Sequence, residues 1–161
     1  MIFLIFLLAK NDILKMSDEI VYSIKNGDFK AVMKYGDKRG IIFSINAIID
    51  SFDPKIPPQR LKFILNDTTK LFWGYEISSG REVYMTFNEF YNKFLKKNYL
   101  KGTKLINRIS DKKTKTNISE FFKDAQFVEY TIKNNDYDFN SLIIVFSRGV
   151  LSAILFNKWA P

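Results

Sequence analysis

The chain has 161 residues, with 25 Lys and Arg against 17 Asp and Glu, and its net charge is +8. It contains no cysteine, which excludes thiol nucleophiles, disulfides and zinc–thiolate sites, and no histidine, which excludes Ser-His-Asp triads and His-ligated metals. A chain of this length buries enough surface for one hydrophobic core, so we expect a single domain. Such a core needs no disulfide or metal for stability, and no cofactor is expected. The remaining chemistry is that of carboxylate, Tyr, Lys or Arg side chains, or binding alone.

The N-terminus is an unbroken apolar run from Ile2 to Ala9. As a helix it would span about 12 Å against a hydrocarbon core of about 30 Å, so no transmembrane span is predicted. The run is typical of a signal-peptide core, although no Lys or Arg precedes it, and it equally fits an apolar segment packed on the domain. We assign residues 1–16 to this segment and 17–161 to the domain. Export to the periplasm or cell surface is expected, with a cytoplasmic location left open.

In the first half of the domain, the sequence pattern predicts short helices before and after one strand. Ser17, followed by two acids, is typical of a helix start, and Gly27 is typical of a helix end. Asp28 is placed to cap a second helix, residues 40–43 predict a short strand, and Pro58 suits the first position of a third helix.

A β-hairpin is predicted over residues 71–86, with Gly80 in its turn. Thr86 and Glu89 then form a capping-box pattern, in which a Thr is followed three residues later by a Glu. Apolar residues continue at helical spacing to Leu95, which predicts a full helix.

The last third of the chain predicts mainly strands. In order, we expect a weak strand at 103–109, a helical turn capped by Ser119, a strand at 126–132, a polar loop at 134–140 and a hairpin over 141–159. The apolar runs of this hairpin indicate strands covered on both faces. The predicted fold class is therefore α+β, with helices packed on one face of a curved, mainly antiparallel sheet.

This order of elements resembles the NTF2-like cone fold, and residues 25–35 are similar to its first-helix turn. Over roughly residues 36–159 the chain also resembles an uncharacterised family of bacterial exported proteins, many of them lipoproteins, with an NTF2-like domain. The matching motifs are Phe43-Ser44, Trp73-Gly74-Tyr75, Ser79-Gly80, Thr86 to Tyr91, Phe127-Val128-Glu129-Tyr130, Ser141-Leu142 and Trp159. The resemblance implies the cone fold and export, and it implies no reaction. Family members carry a His-Asp pair where this chain has Phe156-Asn157, so any role of that His is lost here.

The resemblance also indicates candidate site residues. NTF2-like cones often hold an apolar pocket, and some enzymes of this fold are isomerases or dehydratases with a carboxylate base and a Tyr donor. Glu129 with Tyr130 is the candidate catalytic pair, and Tyr75 or Tyr84 are alternative donors. The candidate ligand-binding residues are Trp73, Tyr75, Tyr84, Glu129 and Trp159. The alternatives are a solvated Glu129 or one paired with a cross-strand Lys, and aromatic residues that pack in the core.

The positive charge is concentrated in residues 93–115, which contain nine Lys or Arg residues and a single acidic residue, Asp111. The candidate polyanion-binding residues are Lys96, Lys97, Lys101, Lys104, Arg108, Lys112 and Lys113. The alternative is an exposed helix end, strand and turn, because Lys is common on any solvated face. No nucleic-acid-binding motif accompanies the cluster, so nucleic acid is not the expected partner.

Three functions remain compatible with the sequence. The preferred one is a non-catalytic, exported NTF2-like domain that binds an unknown small ligand or a protein partner, with a homodimer left open. The second is a small isomerase or dehydratase, and the third is a polyanion-binding protein. No metal site is expected, because the spacing of Asp50, Asp53 and Asp67 matches no metal-binding loop.

Overall fold

The computed structural model describes residues 9–161, so nearly all of the apolar run from Ile2 to Ala9 lies outside the described residues. Within residues 9–161, no helix combines the length and the apolar content that a membrane span requires. The helices are α1 (Lys10–Lys25), α2 (Phe29–Met33), α3 (Pro58–Leu61), α4 (Phe87–Phe90) and α5 (Ile118–Phe121). The strands are β1 (Ile41–Ser44), β2 (Lys55–Ile56), β3 (Leu71–Tyr75), β4 (Glu82–Met85), β5 (Thr103–Ile106), β6 (Ala125–Asn135), β7 (Asp138–Ser147) and β8 (Val150–Trp159).

Helix α1 begins at Lys10, so the helix start predicted at Ser17 is wrong. Ile13, Ser17, Ile20 and Ile24 recur at spacings of three and four residues, and all four side chains are buried. Ser17 therefore lies inside the buried stripe of one longer helix, where its cap-forming tendency is overridden by the packing of its neighbours.

The end of α1 and the start of α2 agree with the prediction. Gly27 has a φ of 70°, a left-handed conformation that glycine adopts without a steric penalty. Asp28 Oδ1 then accepts a hydrogen bond of 3.0 Å from the backbone N–H of Ala31 and caps α2.

Six strands form the main sheet in the order β2-β1-β8-β7-β6-β5. Only the β1–β8 pair is parallel, and the other four pairs are antiparallel. Strands β3 and β4 form a separate two-stranded sheet. The predicted α+β class with a mainly antiparallel sheet is confirmed.

Both faces of the main sheet are covered, as the apolar runs of the last hairpin predicted. The larger core lies beneath helices α1 to α4 and the β3–β4 hairpin, and Tyr130, Leu142 and Ile154 belong to it. A second core lies on the opposite face, where residues such as Ile143 and Leu155 pack against the segments before β2 and before β6.

The capping box is confirmed, since Thr86 Oγ1 accepts from the Glu89 N–H at 3.1 Å while Glu89 Oε2 accepts from the Thr86 N–H at 2.6 Å. The helix that follows is shorter than predicted. Helix α4 ends at Phe90, and the chain continues as a π-helical turn over Tyr91–Leu95.

Two other local predictions are wrong. The expected polar loop at 134–140 is mostly strand, because β6 extends to Asn135 and β7 begins at Asp138. The exposed ends of paired strands tolerate polar residues, so polarity alone did not separate strand from loop. Ser119 does not cap a helix, because α5 already begins at Ile118 and Asn117 is the residue before it. The Asn117 side chain does not cap α5 either: its Oδ1 accepts from the Ile49 N–H and its Nδ2 donates to the Ile49 carbonyl, both at 2.8 Å.

Candidate ligand-binding site

Glu129 is fully buried, so it is not the solvated strand residue that one alternative expected. Its Oε1 atom accepts hydrogen bonds from the Ser110 N–H at 2.8 Å and from Thr131 Oγ1 at 3.2 Å. Its Oε2 atom has no hydrogen-bond partner among the described residues. Glu129 therefore faces the second core, beneath the segment that connects β5 to β6.

A chain of hydrogen bonds connects Trp159 to Glu129 across three strands. Trp159 Nε1 donates to Ser141 Oγ at 3.1 Å, and the Ser141 and Thr131 hydroxyl oxygens lie 3.1 Å apart. Thr131 then donates to Glu129, and Ser110 Oγ lies 3.2 Å from the same Thr131 oxygen. An indole N–H can only donate, so the chain runs from Trp159 towards the carboxyl group. It stabilises the packing of β6, β7 and β8 and places two predicted ligand-binding residues in one buried network.

Replacing Thr131 with valine is expected to lower the free energy of unfolding by about 1–3 kcal/mol, because the hydroxyl that three side chains share would be lost. Thr103 lies opposite Thr131 on β5 and is exposed, so Thr103→Val is the matched control and should change stability by about 0.5 kcal/mol or less. Urea denaturation of both variants checks this. Equal effects would contradict the assignment of Thr131 as the centre of the network.

Tyr130 lies on the face of β6 opposite to Glu129, so the predicted catalytic pair does not share a site. Adjacent residues of a strand point to opposite faces, which is the physical reason for this correction. The Tyr130 hydroxyl donates to Asp18 Oδ1 at 2.8 Å, and Lys104 Nζ lies 2.9 Å from the same carboxylate. Burial, followed by the hydrogen bond to Asp18, raises the pKa of Tyr130, which makes its hydroxyl a poor proton donor.

The candidate aromatic residues do not line one cavity. Trp73 is fully buried, stacks on Phe90 with 4.0 Å between ring centroids, and donates from Nε1 to the Met85 carbonyl at 3.0 Å. Tyr75 and Tyr84 lie on the same hairpin with half of each side chain exposed. Trp159 stacks on Phe139 and bonds the buried network on the opposite face of the main sheet.

The basic residues of the 93–115 stretch are divided between several elements. Lys96 and Lys97 follow the π-helical turn, Lys101 lies in a 3-10 turn, and Lys104 lies on the edge strand β5. Arg108, Lys112 and Lys113 lie in the segment that covers the second core. Lys104 is engaged by Asp18, and burial together with the nearby Lys158 lowers the pKa of Lys97. Polyanion binding by these residues stays a prediction.

Two of the three aspartates considered for a metal site, Asp53 and Asp67, accept hydrogen bonds from other residues through their carboxylates. Asp67 accepts from Arg60 Nε at 2.7 Å, and Asp53 Oδ2 accepts from the Asp50 N–H at 2.9 Å. Burial raises the pKa of Asp53 to about 6. Across residues 9–161, no three or more acidic side chains converge in a way that could hold a metal ion.

A cleft of about 350 Å³ lies at the end of the main sheet where the β7–β8 turn meets β1, β2 and α5. Its apolar walls come from residues of three separate segments. The apolar lining residues are Ile42, Phe121, Phe122 and Val150. Gly40, Ser147 and Ser152 also line the cleft.

The rim of this cleft carries four cations, Arg39, Lys55, Lys123 and Arg148. Asp37 is the one acid among the described lining residues, and Arg39 forks onto it with distances of 3.1 Å from Nε and 2.8 Å from Nη2. This hydrogen bonding holds the pKa of Asp37 below its usual range. Within the described part of the chain, the other three cations form no ion pair, although the charge of Lys55 also lowers the pKa of Asp37. With four cations and one acid, the lining carries a net positive charge.

Arg148 occupies an unusual backbone position. It and Gly149 form the two-residue turn between β7 and β8, with φ values of 53° and 80°. Positive φ at both positions is the type I′ pattern, which favours Asn, Asp or Gly at the first position. The sequence prediction found this hairpin but missed the cleft, because Lys55, Lys123 and Arg148 lie far apart in the chain and only the fold brings them together.

Comparisons with known proteins add little to this geometry. No family model matches the chain, and no curated protein matches it. A solved structure of an NTF2-like protein of unknown function from Burkholderia xenovorans LB400 is similar to it, with 15% sequence identity. The match covers 94% of this chain and 86% of that chain, with a TM-score of 0.35. At this level of similarity, the site is assigned from the residues of this chain alone.

Proposed function

We propose that the chain is an exported NTF2-like domain that binds a small ligand, without catalysis, in the cleft at the end of the main sheet. The observation that carries the proposal is the cleft itself. Its volume of about 350 Å³ lies at the lower end of the range for small-molecule pockets. Four apolar residues, five charged residues and two serines line it, so it offers a ligand both apolar contact and charge.

The placement of the candidate catalytic residues favours binding over isomerase-type catalysis. A general base must come within hydrogen-bond reach of the proton that it removes. Glu129 is fully buried and does not line the cleft, and Tyr130 faces the other side of the sheet. An acid–base pair would need both side chains at one accessible cavity.

Export is the part of the proposal that rests on sequence alone. The apolar run from Ile2 to Ala9 and the resemblance to exported proteins support it. Fractionation of cells that express the full chain, followed by immunoblotting, tests it. We expect the protein outside the cytoplasmic fraction, and recovery only with cytoplasmic markers would contradict export.

The binding proposal is tested by filling the cleft. Val150 lines it with 37% of its surface exposed, so Val150→Trp should occupy ligand space at the start of β8. Tyr137→Trp is the control, since Tyr137 is 78% exposed in the β6–β7 turn at the other end of the sheet. Native mass spectrometry after exposure to the low-molecular-mass fraction of a cell extract should show a mass surplus in wild type and in the control, and none in Val150→Trp.

The same measurement has clear contrary outcomes. A surplus that persists unchanged in Val150→Trp would place the ligand elsewhere. A wild-type protein that retains no small molecule after this exposure would contradict the binding function. A spectrum of the denatured sample separates a bound ligand from a covalent modification.

A further inference from the structure

We propose that the ligand of this cleft is a small organic acid, an anionic group joined to a compact apolar body. This inference rests on the proposed binding function and names the class of ligand. Lys55, Lys123 and Arg148 would hold the anionic group, and the apolar walls of the cleft would hold the body.

The charge of the cleft supports an anion. Arg39 bonds Asp37, and the charge of Lys55 also acts on this carboxylate. Four cations against one acid still leave the opening with a net positive charge. Asp124 follows Lys123 in the chain, but it neither lines the cleft nor forms an ion pair there. Like charges gathered at a low-dielectric wall attract anions and raise their local concentration.

The walls indicate that the ligand also has an apolar part. Phe121 and Phe122 meet edge to face with 5.1 Å between ring centroids at the end of α5. Ile42 and Val150 line the cleft from β1 and β8. An inorganic ion would leave these apolar side chains uncovered, whereas a body of about the size of an aromatic ring would cover them.

The backbone of Arg148 is a separate observation that points to the same group. A non-glycine residue with a φ of 53° is uncommon, and Arg is not a residue that this turn favours. Residues kept in unfavourable backbone conformations cluster at binding sites. Arg also has the planar donor geometry that suits a carboxylate, so its presence at this turn fits anion binding.

The test uses three probes of nearly equal shape and different charge: benzoate, benzamide and benzylamine. Each is titrated into isotope-labelled full-length protein, and backbone amide shifts are followed by NMR. We expect benzoate to shift the resonances of the cleft residues in a saturable manner, benzamide to act at least five-fold more weakly, and benzylamine to leave them unchanged. Raising the salt concentration should weaken benzoate binding, because the charges are exposed.

Arg148→Asn separates binding from stability. Asn suits the turn, so the variant should unfold at the same temperature as wild type or higher, while its affinity for benzoate should fall about five- to ten-fold. Arg81→Asn is the matched control, because it removes the same charge from the turn between β3 and β4. It should leave benzoate binding unchanged. Arg148→Lys keeps a charge at the site and should recover part of the affinity.

The outcomes separate this inference from the proposed function. Equal binding of benzamide and benzoate at the cleft would overturn the anion inference and leave the binding function standing. No shift at the cleft with benzoate would overturn the anion inference, whereas the binding function is decided separately by the mass-spectrometry experiment. Unchanged benzoate affinity in a folded Arg148→Asn variant would overturn the role of the Arg148 side chain in holding the anion.

Discussion

Replacing Trp73 with alanine is expected to lower the free energy of unfolding by about 3–5 kcal/mol, the usual loss for a large aromatic residue in a core. The side chain is fully buried, stacks on Phe90 and donates its N–H to the Met85 carbonyl. The substitution removes these contacts and leaves a cavity between the β3–β4 hairpin and α4. Guanidinium denaturation followed by far-ultraviolet circular dichroism measures the loss.

Tyr75→Ala is the control for this prediction, because Tyr75 lies on the same strand with 50% of its surface exposed. We expect it to lower stability by about 1 kcal/mol or less. A small loss at Trp73, similar to that at Tyr75, would mean that the indole is not a core residue. That result would restore Trp73 as a candidate ligand contact.

Gly102→Ala is expected to destabilise the protein by about 3 kcal/mol, although the change adds only one methyl group. A Cβ atom at this position would overlap the Thr131 carbonyl oxygen and would lie 2.9 Å from Ile132 Cγ2. Because the first of these is a backbone atom of β6, the edge strand β5 would have to move away from the sheet. Denaturation and amide hydrogen exchange should show lower stability and faster exchange in β5.

Gly36→Ala is the matched control for this close approach. Its Cβ would meet the end of the Ile41 side chain at 2.8 Å, and a side-chain end yields more easily than a backbone atom, so we expect a loss of about 1 kcal/mol. Equal losses of stability in the two variants would contradict the close approach of Gly102 to the backbone of β6.

Local patterns predicted the elements whose determinants are close in sequence. The Asp28 cap needs only the N–H groups that follow it, and the Thr86–Glu89 capping box is complete within four residues. Ser17 shows the limit of such patterns. Its tendency to cap a helix is real, but the stripe of buried Ile residues on both sides of it decides its position.

The placement of Glu129 and Tyr130 on opposite faces of the sheet could have been predicted from the sequence. Strand β6 was expected, and a strand places adjacent residues on opposite faces, which already separates the proposed acid from the proposed base. The burial of Glu129 could not be predicted in this way. It depends on Ser110, whose segment folds over the second core and donates a backbone N–H to the carboxylate.

The cleft is a candidate site that could not be predicted from the sequence. Lys55, Lys123 and Arg148 belong to three distant segments, and each is an ordinary isolated cation in the sequence. By contrast, the conspicuous run at 93–115 is spread over a helical turn, an edge strand and a covering segment. The run at 93–115 is a candidate anion site that the sequence alone indicates, whereas the cleft is one that only the fold brings together.

The most direct test of the proposed anion-binding cleft is a crystal structure of the protein with benzoate, at a concentration that saturates the NMR response. We expect the carboxylate within hydrogen-bond distance of Arg148 and at least one of Lys55 and Lys123, with the ring against Phe122 and Val150. An empty cleft at that concentration, or benzoate bound only at another site, would contradict the proposal.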